Sequence, residues 1–96
     1  MRRSQPLSIG EAIDAFFKSN GMSRKLEEIS LMKRYDEAVG EAVASYTRRK
    51  FLRGGILYMD LVSGAARNEV NINKAYFIRR FNELAGEKIV DDIILI

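Results

Sequence analysis

The sequence contains no cysteine and no histidine among its 96 residues. Without cysteine, the chain cannot form disulfides, thiolate metal sites or a cysteine nucleophile, and this composition suits a reducing cytoplasm. Without histidine, it lacks the side chain that most often performs acid–base catalysis at neutral pH. Catalysis would have to depend on tuned carboxylates, lysine, tyrosine or a hard metal, so we predict that the protein is not an enzyme and uses no cofactor.

Long apolar runs and sorting signals are missing as well. No apolar run approaches the ~18 residues of a membrane span, and the basic residues near the N-terminus are not followed by the apolar segment of a signal peptide. We therefore expect a cytoplasmic protein with no membrane partner and no small-molecule substrate. The length fits one domain, 1–96, with an N-terminal helix in residues 1–22 and a core in residues 23–96.

The motifs of nucleotide and metal sites are also absent. There is no GxGxxG or GxxG sequence, and Gly54-Gly55 lacks the glycine spacing and the Lys-Ser/Thr pair of a nucleotide-binding loop. No candidate ligand or catalytic group converges on the three pairs of adjacent carboxylates, which are Glu27-Glu28, Asp36-Glu37 and Asp91-Asp92. We predict no catalytic residue and no metal-binding residue.

Positive charge is concentrated in the middle of the chain. The formal net charge is +3, but residues 1–45 are neutral, residues 46–80 carry +6 and residues 81–96 carry −3. Four of the cations lie within the eight residues 46–53, directly before Gly54-Gly55. The function of this basic segment is therefore the main question that the sequence raises.

Helical periodicity dominates the first half of the sequence. A capping-box sequence precedes a predicted helix over residues 9–19. A second stripe predicts a helix or a broken helix pair over residues 24–45, with Ser23 as a plausible cap. Gly40 lies inside this stripe, where glycine costs about 1 kcal/mol relative to alanine unless another element passes close by. We interpret Gly40 as a close-packing point and Tyr35 as an aromatic anchor.

A β-hairpin is predicted at the centre of the chain. Residues 46–53 and 56–62 flank Gly54-Gly55, a pair that can take positive φ at both positions, as a tight hairpin requires. Alternation assigns the side chains of the first strand to two faces, namely Thr47, Arg49, Phe51 and Arg53 on one, and Tyr46, Arg48, Lys50 and Leu52 on the other. Neither face is purely apolar, as expected of an edge strand, where cations also discourage aggregation.

The remaining sequence predicts further helices and one more strand. Ser63 can cap a helix that is interrupted at residues 71–73 and ends at Gly86. The β-branched residues of the run 89–96 predict a strand that pairs beside the hairpin. The order predicts an α+β fold of N-terminal helices, a β-hairpin, a helix or helix pair and a final strand, with the three-stranded sheet covered by helices on one face.

Two interpretations of the basic hairpin stay open. It is either a solvated edge strand or a phosphate-binding surface, whose aromatic side chains could stack on unpaired bases. Packing against the sheet is favoured for Phe51, while packing and stacking are equally plausible for Tyr58. Cations of the following helices, including Arg67, could extend the surface. The predicted nucleic-acid-binding residues are Arg48, Arg49, Lys50, Arg53, Lys74, Arg79, Arg80 and Tyr58.

Three segments and a final apolar strand follow one another at a characteristic spacing. The segments are YDEAVGEAVA from Tyr35, LRGGIL from Leu52 and IRRFNELAG from Ile78. With Thr47 and Ser63 between them, they resemble the bacterial DciA family of replicative-helicase loaders, in which tryptophan is usual at the position of Tyr35. The resemblance covers residues 35–96.

The resemblance implies a KH-like domain that brings the replicative helicase onto single-stranded DNA and contacts both partners. The GxxG loop with which KH domains clamp nucleic acid is missing, so the resemblance does not imply the KH binding mode. Two other functions stay open. One is a KH-like RNA-binding module, and the other is a protein-interaction domain that binds no nucleic acid.

Overall fold

The structure, a computed structural model, describes residues 23–96, and the helix predicted at residues 9–19 lies outside the described residues. The elements of this part of the chain are the helices α1 (Ser23–Met32), α2 (Tyr35–Val39) and α3 (Glu41–Ser45), the strands β1 (Thr47–Arg53) and β2 (Ile56–Leu61), the helices α4 (Gly64–Ile72) and α5 (Lys74–Ala85), and the strand β3 (Asp92–Leu95).

The three strands form one mixed sheet in the order β1-β2-β3. β1 pairs with β2 in antiparallel orientation, and β2 pairs with β3 in parallel orientation. β1 is therefore an edge strand, as predicted. The helices of residues 23–96 pack on one side, the core face, and leave the opposite side, the open face, without a helix. The predicted α+β class and the three-stranded sheet covered on one face are confirmed.

The core face is built from the alternation within β2. Leu57, Met59 and Leu61 are buried, whereas the side chains between them are partly exposed. Phe77 and Phe81 of α5 belong to the same hydrophobic core. Because full burial of a leucine or phenylalanine side chain contributes about 1.5–3 kcal/mol, this layer holds the helices to the sheet.

The predicted turning points between the elements are confirmed. The Ser63 hydroxyl accepts a hydrogen bond from the backbone N–H of Ala66 (3.2 Å), which caps α4. The helical stretch divides at Asn73, between α4 and α5. In the hairpin, Gly54 and Gly55 have φ values of 58° and 83°, as the favoured two-residue hairpin turn requires.

The last strand is shorter than predicted. The predicted strand spans residues 89–96, but only Asp92–Leu95 form β3. Ile89 and Val90 are buried without being part of a strand. The Asn82 amide oxygen accepts from their backbone N–H groups (2.9 and 2.8 Å), and its amide nitrogen donates to the Val90 carbonyl (3.0 Å). The asparagine side chain thus takes the place of a neighbouring strand.

β1 contains a β-bulge that simple alternation does not predict. Thr47 is paired with Leu61 and Arg49 with Asp60, so Arg48 is an additional residue in β1. An additional residue shifts the alternation by one, and the prediction that Thr47 shares a face with Arg49 is therefore wrong. The open face receives Arg48, Arg49, Phe51 and Arg53 of β1, and the core side receives Thr47, Lys50 and Leu52.

Tyr35 anchors this arrangement in the core, as predicted. Its side chain is 1% exposed, and its ring lies 5.9 Å from that of Phe81 between centroids. The Thr47 hydroxyl donates to the Val43 carbonyl (2.8 Å), so the Tyr35 hydroxyl donates to the Thr47 oxygen (2.8 Å). This chain of hydrogen bonds holds Thr47 on the core side, immediately before the bulge.

Gly40 separates α2 from α3 for a conformational reason. Its φ of 89° and ψ of 159° lie in a region that is essentially restricted to glycine. A Cβ added here would meet no atom within 4 Å. The interpretation of Gly40 as a close-packing point is therefore wrong, because the position requires the backbone of glycine and not its small size.

We expect Gly40→Ala to lower the free energy of unfolding by about 1–3 kcal/mol, since alanine must adopt a strained conformation there. Gly64→Ala is the matched control, because Gly64 has an ordinary helical conformation and open space at its Cβ. The control should be neutral or stabilising by up to about 1 kcal/mol. Chemical denaturation measures both, and a Gly40→Ala protein as stable as the wild type would contradict this account.

Burial raises the pKa of Tyr35 to about 12, from its ordinary value of 10. A raised pKa contributes stability that is present below pH 10 and is lost as the pH rises to about 12. The stability difference between the wild type and Tyr35→Phe should therefore shrink over this interval, by at most about 1.4 kcal/mol per pH unit. Denaturation curves at successive pH values measure the difference, and a constant value would contradict the assignment.

Candidate nucleic-acid interface

The candidate site is the open face of the sheet. Its residues come from all three strands and lie in register across them. They are Arg48, Arg49, Phe51 and Arg53 of β1, Ile56, Tyr58 and Asp60 of β2, and Asp92 and Ile94 of β3. The strands thus collect three cations, two carboxylates and apolar side chains on one side of the sheet, with the packed core behind them.

An apolar row crosses the middle of the open face. Phe51 is paired with Tyr58, and Tyr58 with Ile94, in the register of the sheet. The rings of Phe51 and Tyr58 are stacked, with 4.7 Å between centroids and 20° between planes. Phe51 is 38% and Ile94 39% exposed, so this row is accessible from the side that the helices leave open. This aromatic contact supports the hairpin and uses one face of the Phe51 ring, which stays partly exposed.

Arg48 is engaged by a carboxylate of the neighbouring strand. Its Nε and Nη2 donate to the two oxygens of Asp60 (3.0 and 3.2 Å). This hydrogen-bonded pair holds the pKa of Asp60 below its usual range and raises that of Arg48. Most of the charge of Arg48 is therefore already compensated, and the residue orients the edge of the face more than it offers a free cation.

Arg49 and Arg53 are the available cations of the open face. Both are exposed, and within residues 23–96 neither guanidinium has an ion pair or a hydrogen bond. They flank Phe51 on the same side of β1, where alternate side chains are about 6.5–7 Å apart. A ring with an unpaired cation on either side can interact with an aromatic group and with anions at the same time.

Lys50 lies on the other side of β1. Lys50 is paired in the sheet with the buried Met59 of β2, and its Nζ lies 5.1 Å from the centroid of the Tyr35 ring. The ammonium group thus makes a cation–π contact at the edge of the core. The structure does not place Lys50 on the open face with the arginines of the same strand.

The predicted cations of α5 also lie away from the open face. Arg79 lies over the Tyr76 ring at 5.9 Å, and Arg80 donates to the Glu37 carbonyl (3.5 Å). Lys74 is partly buried at the start of the helix. Because α5 packs on the core face through its phenylalanines, the core separates these cations from the arginines of β1.

Arg67 has a structural role as well. Its guanidinium donates to the carbonyls of Leu61 (3.4 Å) and Ile96 (3.0 Å), which joins the end of β2 to the residue after β3.

Of the predicted site residues, the open face therefore brings together Arg48, Arg49, Arg53 and Tyr58, and it does not include Lys50, Lys74, Arg79 or Arg80.

Besides Phe51, four residues of the open face are not among the predicted binding residues, namely Ile56, Asp60, Asp92 and Ile94. The alternation of β2 already places the first two on the same side as Tyr58. The side of the last two depends on the parallel register of β3 with β2, which no local pattern contains.

Within residues 23–96, no three histidine, cysteine, aspartate or glutamate side chains are grouped so that they could hold a metal ion. None of the helices in that range is long and apolar enough to cross a membrane.

The fold and the open face define a small α+β domain with a cationic, partly aromatic sheet surface. A family model described as "Dna[CI] antecedent, DciA" matches residues 8–95, and the chain belongs to the DciA family. The resemblance seen in the sequence is thereby confirmed. Membership implies an accessory, helicase-loading role in DNA replication, in association with the replicative helicase. No match was found among curated proteins.

Proposed function

We propose that the protein promotes loading of the replicative helicase in the bacterial cytoplasm by binding single-stranded DNA on the open face of its sheet. The observation that supports this most directly is the stacked pair of Phe51 and Tyr58 between two unpaired arginines. The proposal keeps the KH-like fold that the resemblance implies but not the KH binding loop, because no GxxG sequence is present.

The geometry favours a single strand over a duplex. Phosphates attract any basic surface, but an exposed ring gains stacking energy only from a base whose face is free. Phe51 offers such a ring between Arg49 and Arg53, so one strand can place a base on the ring and phosphates beside it. In a duplex, the faces of the bases are stacked on each other and are not available to the ring.

The open face is a better candidate than the cations of α5. Arg80 is bonded to a backbone carbonyl and Arg79 contacts a neighbouring ring, whereas neither Arg49 nor Arg53 has an ion pair or a hydrogen bond within residues 23–96. A strand bound on the open face would have to pass around the domain to reach α5. We therefore assign phosphate contacts to the arginines of β1 and treat the helical cations as controls.

We expect Arg49→Ser combined with Arg53→Ser to weaken binding to a labelled single-stranded oligonucleotide and to reduce its salt dependence. Two lost phosphate contacts should lower the slope of log K against log salt by about 1.4, since each contributes roughly 0.7 on single strands. Fluorescence anisotropy at about 50–200 mM salt measures the slope. Arg79→Ser with Arg80→Ser removes the same charge elsewhere and should leave the slope within error of the wild type.

Two further variants separate stacking from charge in the same assay. Phe51→Ala should cost about 1–3 kcal/mol of binding free energy without changing the slope, because it removes a stacking surface and no cation. Asp60→Asn should steepen the slope, because it releases Arg48 from its carboxylate.

An unchanged slope for the Arg49 and Arg53 variant would contradict the proposal, and tighter binding of a matched RNA would favour the alternative RNA-binding function.

A further inference from the structure

A groove runs between β1 and α1, along the edge of β1 that pairs with no other strand of residues 23–96. It has a volume of about 370 Å³, and its lining from β1 consists of the successive residues Lys50, Phe51 and Leu52. Successive side chains of a strand point to opposite faces of the sheet. A groove that contacts all three therefore follows the edge of the strand, where backbone N–H and C=O groups point outward, and does not lie on either face.

The opposite wall of the groove is one face of α1. Its residues follow helical spacing at positions i, i+3, i+4, i+7 and i+8, and they are Lys25, Glu28, Ile29, Met32 and Lys33. Ile29 at the centre is 46% exposed, and Met32 packs against the core. The helix thus supplies an apolar floor with a lysine at either end.

Two lysines of this groove have no ionic partner among the residues that the structure describes. Lys25 and Lys33 are exposed, and their ammonium groups have no ion pair or hydrogen bond within residues 23–96. The one carboxylate of the groove belongs to Glu28, which is buried and accepts a hydrogen bond from the backbone N–H of Gly55 (3.3 Å). Glu28 is therefore committed to the hairpin turn and does not neutralise the lysines.

We infer that this groove binds an acidic, extended segment of a partner protein, which adds as a strand to the edge of β1. An edge strand beside a helix provides backbone hydrogen bonds on one side and a side-chain pocket on the other, which is the geometry of strand addition. A second copy of this chain is a poor occupant, because lysines along an edge repel an equally basic edge.

The spacing of the lysines predicts the pattern of the segment. Lys25 and Lys33 are eight helical residues apart, which is about 12 Å along the axis of α1. Four residues of an extended strand cover about 13 Å, and alternate residues share a side. A segment that follows α1 would therefore read acidic–x–apolar–x–acidic, with its apolar side chain on Ile29 and Met32. That the replicative helicase carries the segment rests on the proposed function.

The groove is tested first with synthetic peptides on the complete protein. The probe is the blocked peptide Thr-Glu-Ser-Ile-Ser-Glu-Thr, with one control in which lysine replaces both glutamates. A second control has the same seven side chains but N-methyl groups on all of its backbone amides, so it keeps the charges and the isoleucine and cannot donate the backbone hydrogen bonds of a strand in either orientation. We expect binding of the probe only, and slower hydrogen exchange of the amides of residues 47–53 when it is bound.

Charge reversal then locates the binding site. Lys25→Glu with Lys33→Glu should weaken binding of the probe at least tenfold, whereas Lys74→Glu with Arg79→Glu makes the same charge change on α5 and should stay within twofold. Both variants change exposed or partly exposed side chains, and circular dichroism verifies their fold. The purified replicative helicase should show the same ranking and the same protection of β1.

The outcomes separate this inference from the proposed function. Equal binding of the lysine peptide, equal binding of the N-methylated peptide or unchanged exchange in β1 overturns the groove, even if oligonucleotide binding depends on Arg49 and Arg53. A reduced oligonucleotide salt slope in the Lys25 and Lys33 variant also overturns it, because the groove would then belong to the nucleic-acid surface. Selective peptide binding with no oligonucleotide binding supports the groove and contradicts the proposed function.

Discussion

The arrangement of the functional surface depends on the buried phenol of Tyr35. Its ring packs against Phe81 of the longest described helix, and its hydroxyl donates to Thr47 at the start of the sheet. Thr47 donates in turn to Val43, so α2, α3, α5 and β1 are joined around one side chain. With the first residue of β1 fixed on the core side, the position of every later side chain of that strand depends on how the alternation continues.

The bulge at Arg48 is the consequence of this constraint. Leu52 must be buried in the core, and uninterrupted alternation back from it would place Arg48 on the core side and Thr47 on the open side. One additional residue resolves the conflict, since it allows Thr47 to reach Tyr35 and turns Arg48 outward to Asp60. β1 can then serve two surfaces, an open face with unpaired arginines and a free edge beside the lysines of α1.

The sequence was sufficient for what depends on local chemistry. The glycine pair predicts the hairpin, Ser63 predicts a helix start, and the asparagines at 71–73 predict the break, because each acts on its own backbone. The bulge and the short β3 depend on side-chain contacts between different elements, such as Tyr35 with Thr47 and Asn82 with the backbone of Val90. About half of the predicted site residues lie on the open face, since strand alternation is local whereas the placement of α5 against the sheet is tertiary.

The central claim is that a single strand of DNA contacts the open face through the rings of Phe51 and Tyr58. NMR spectra of the protein with carbon-13-labelled aromatic rings, titrated with a thymidine oligonucleotide, test this most directly, because a stacked base shifts the resonances of the ring beneath it. The account predicts that the shifts are largest for Phe51 and Tyr58. Shifts confined to Tyr76, which lies beside Arg79 on α5, would contradict it.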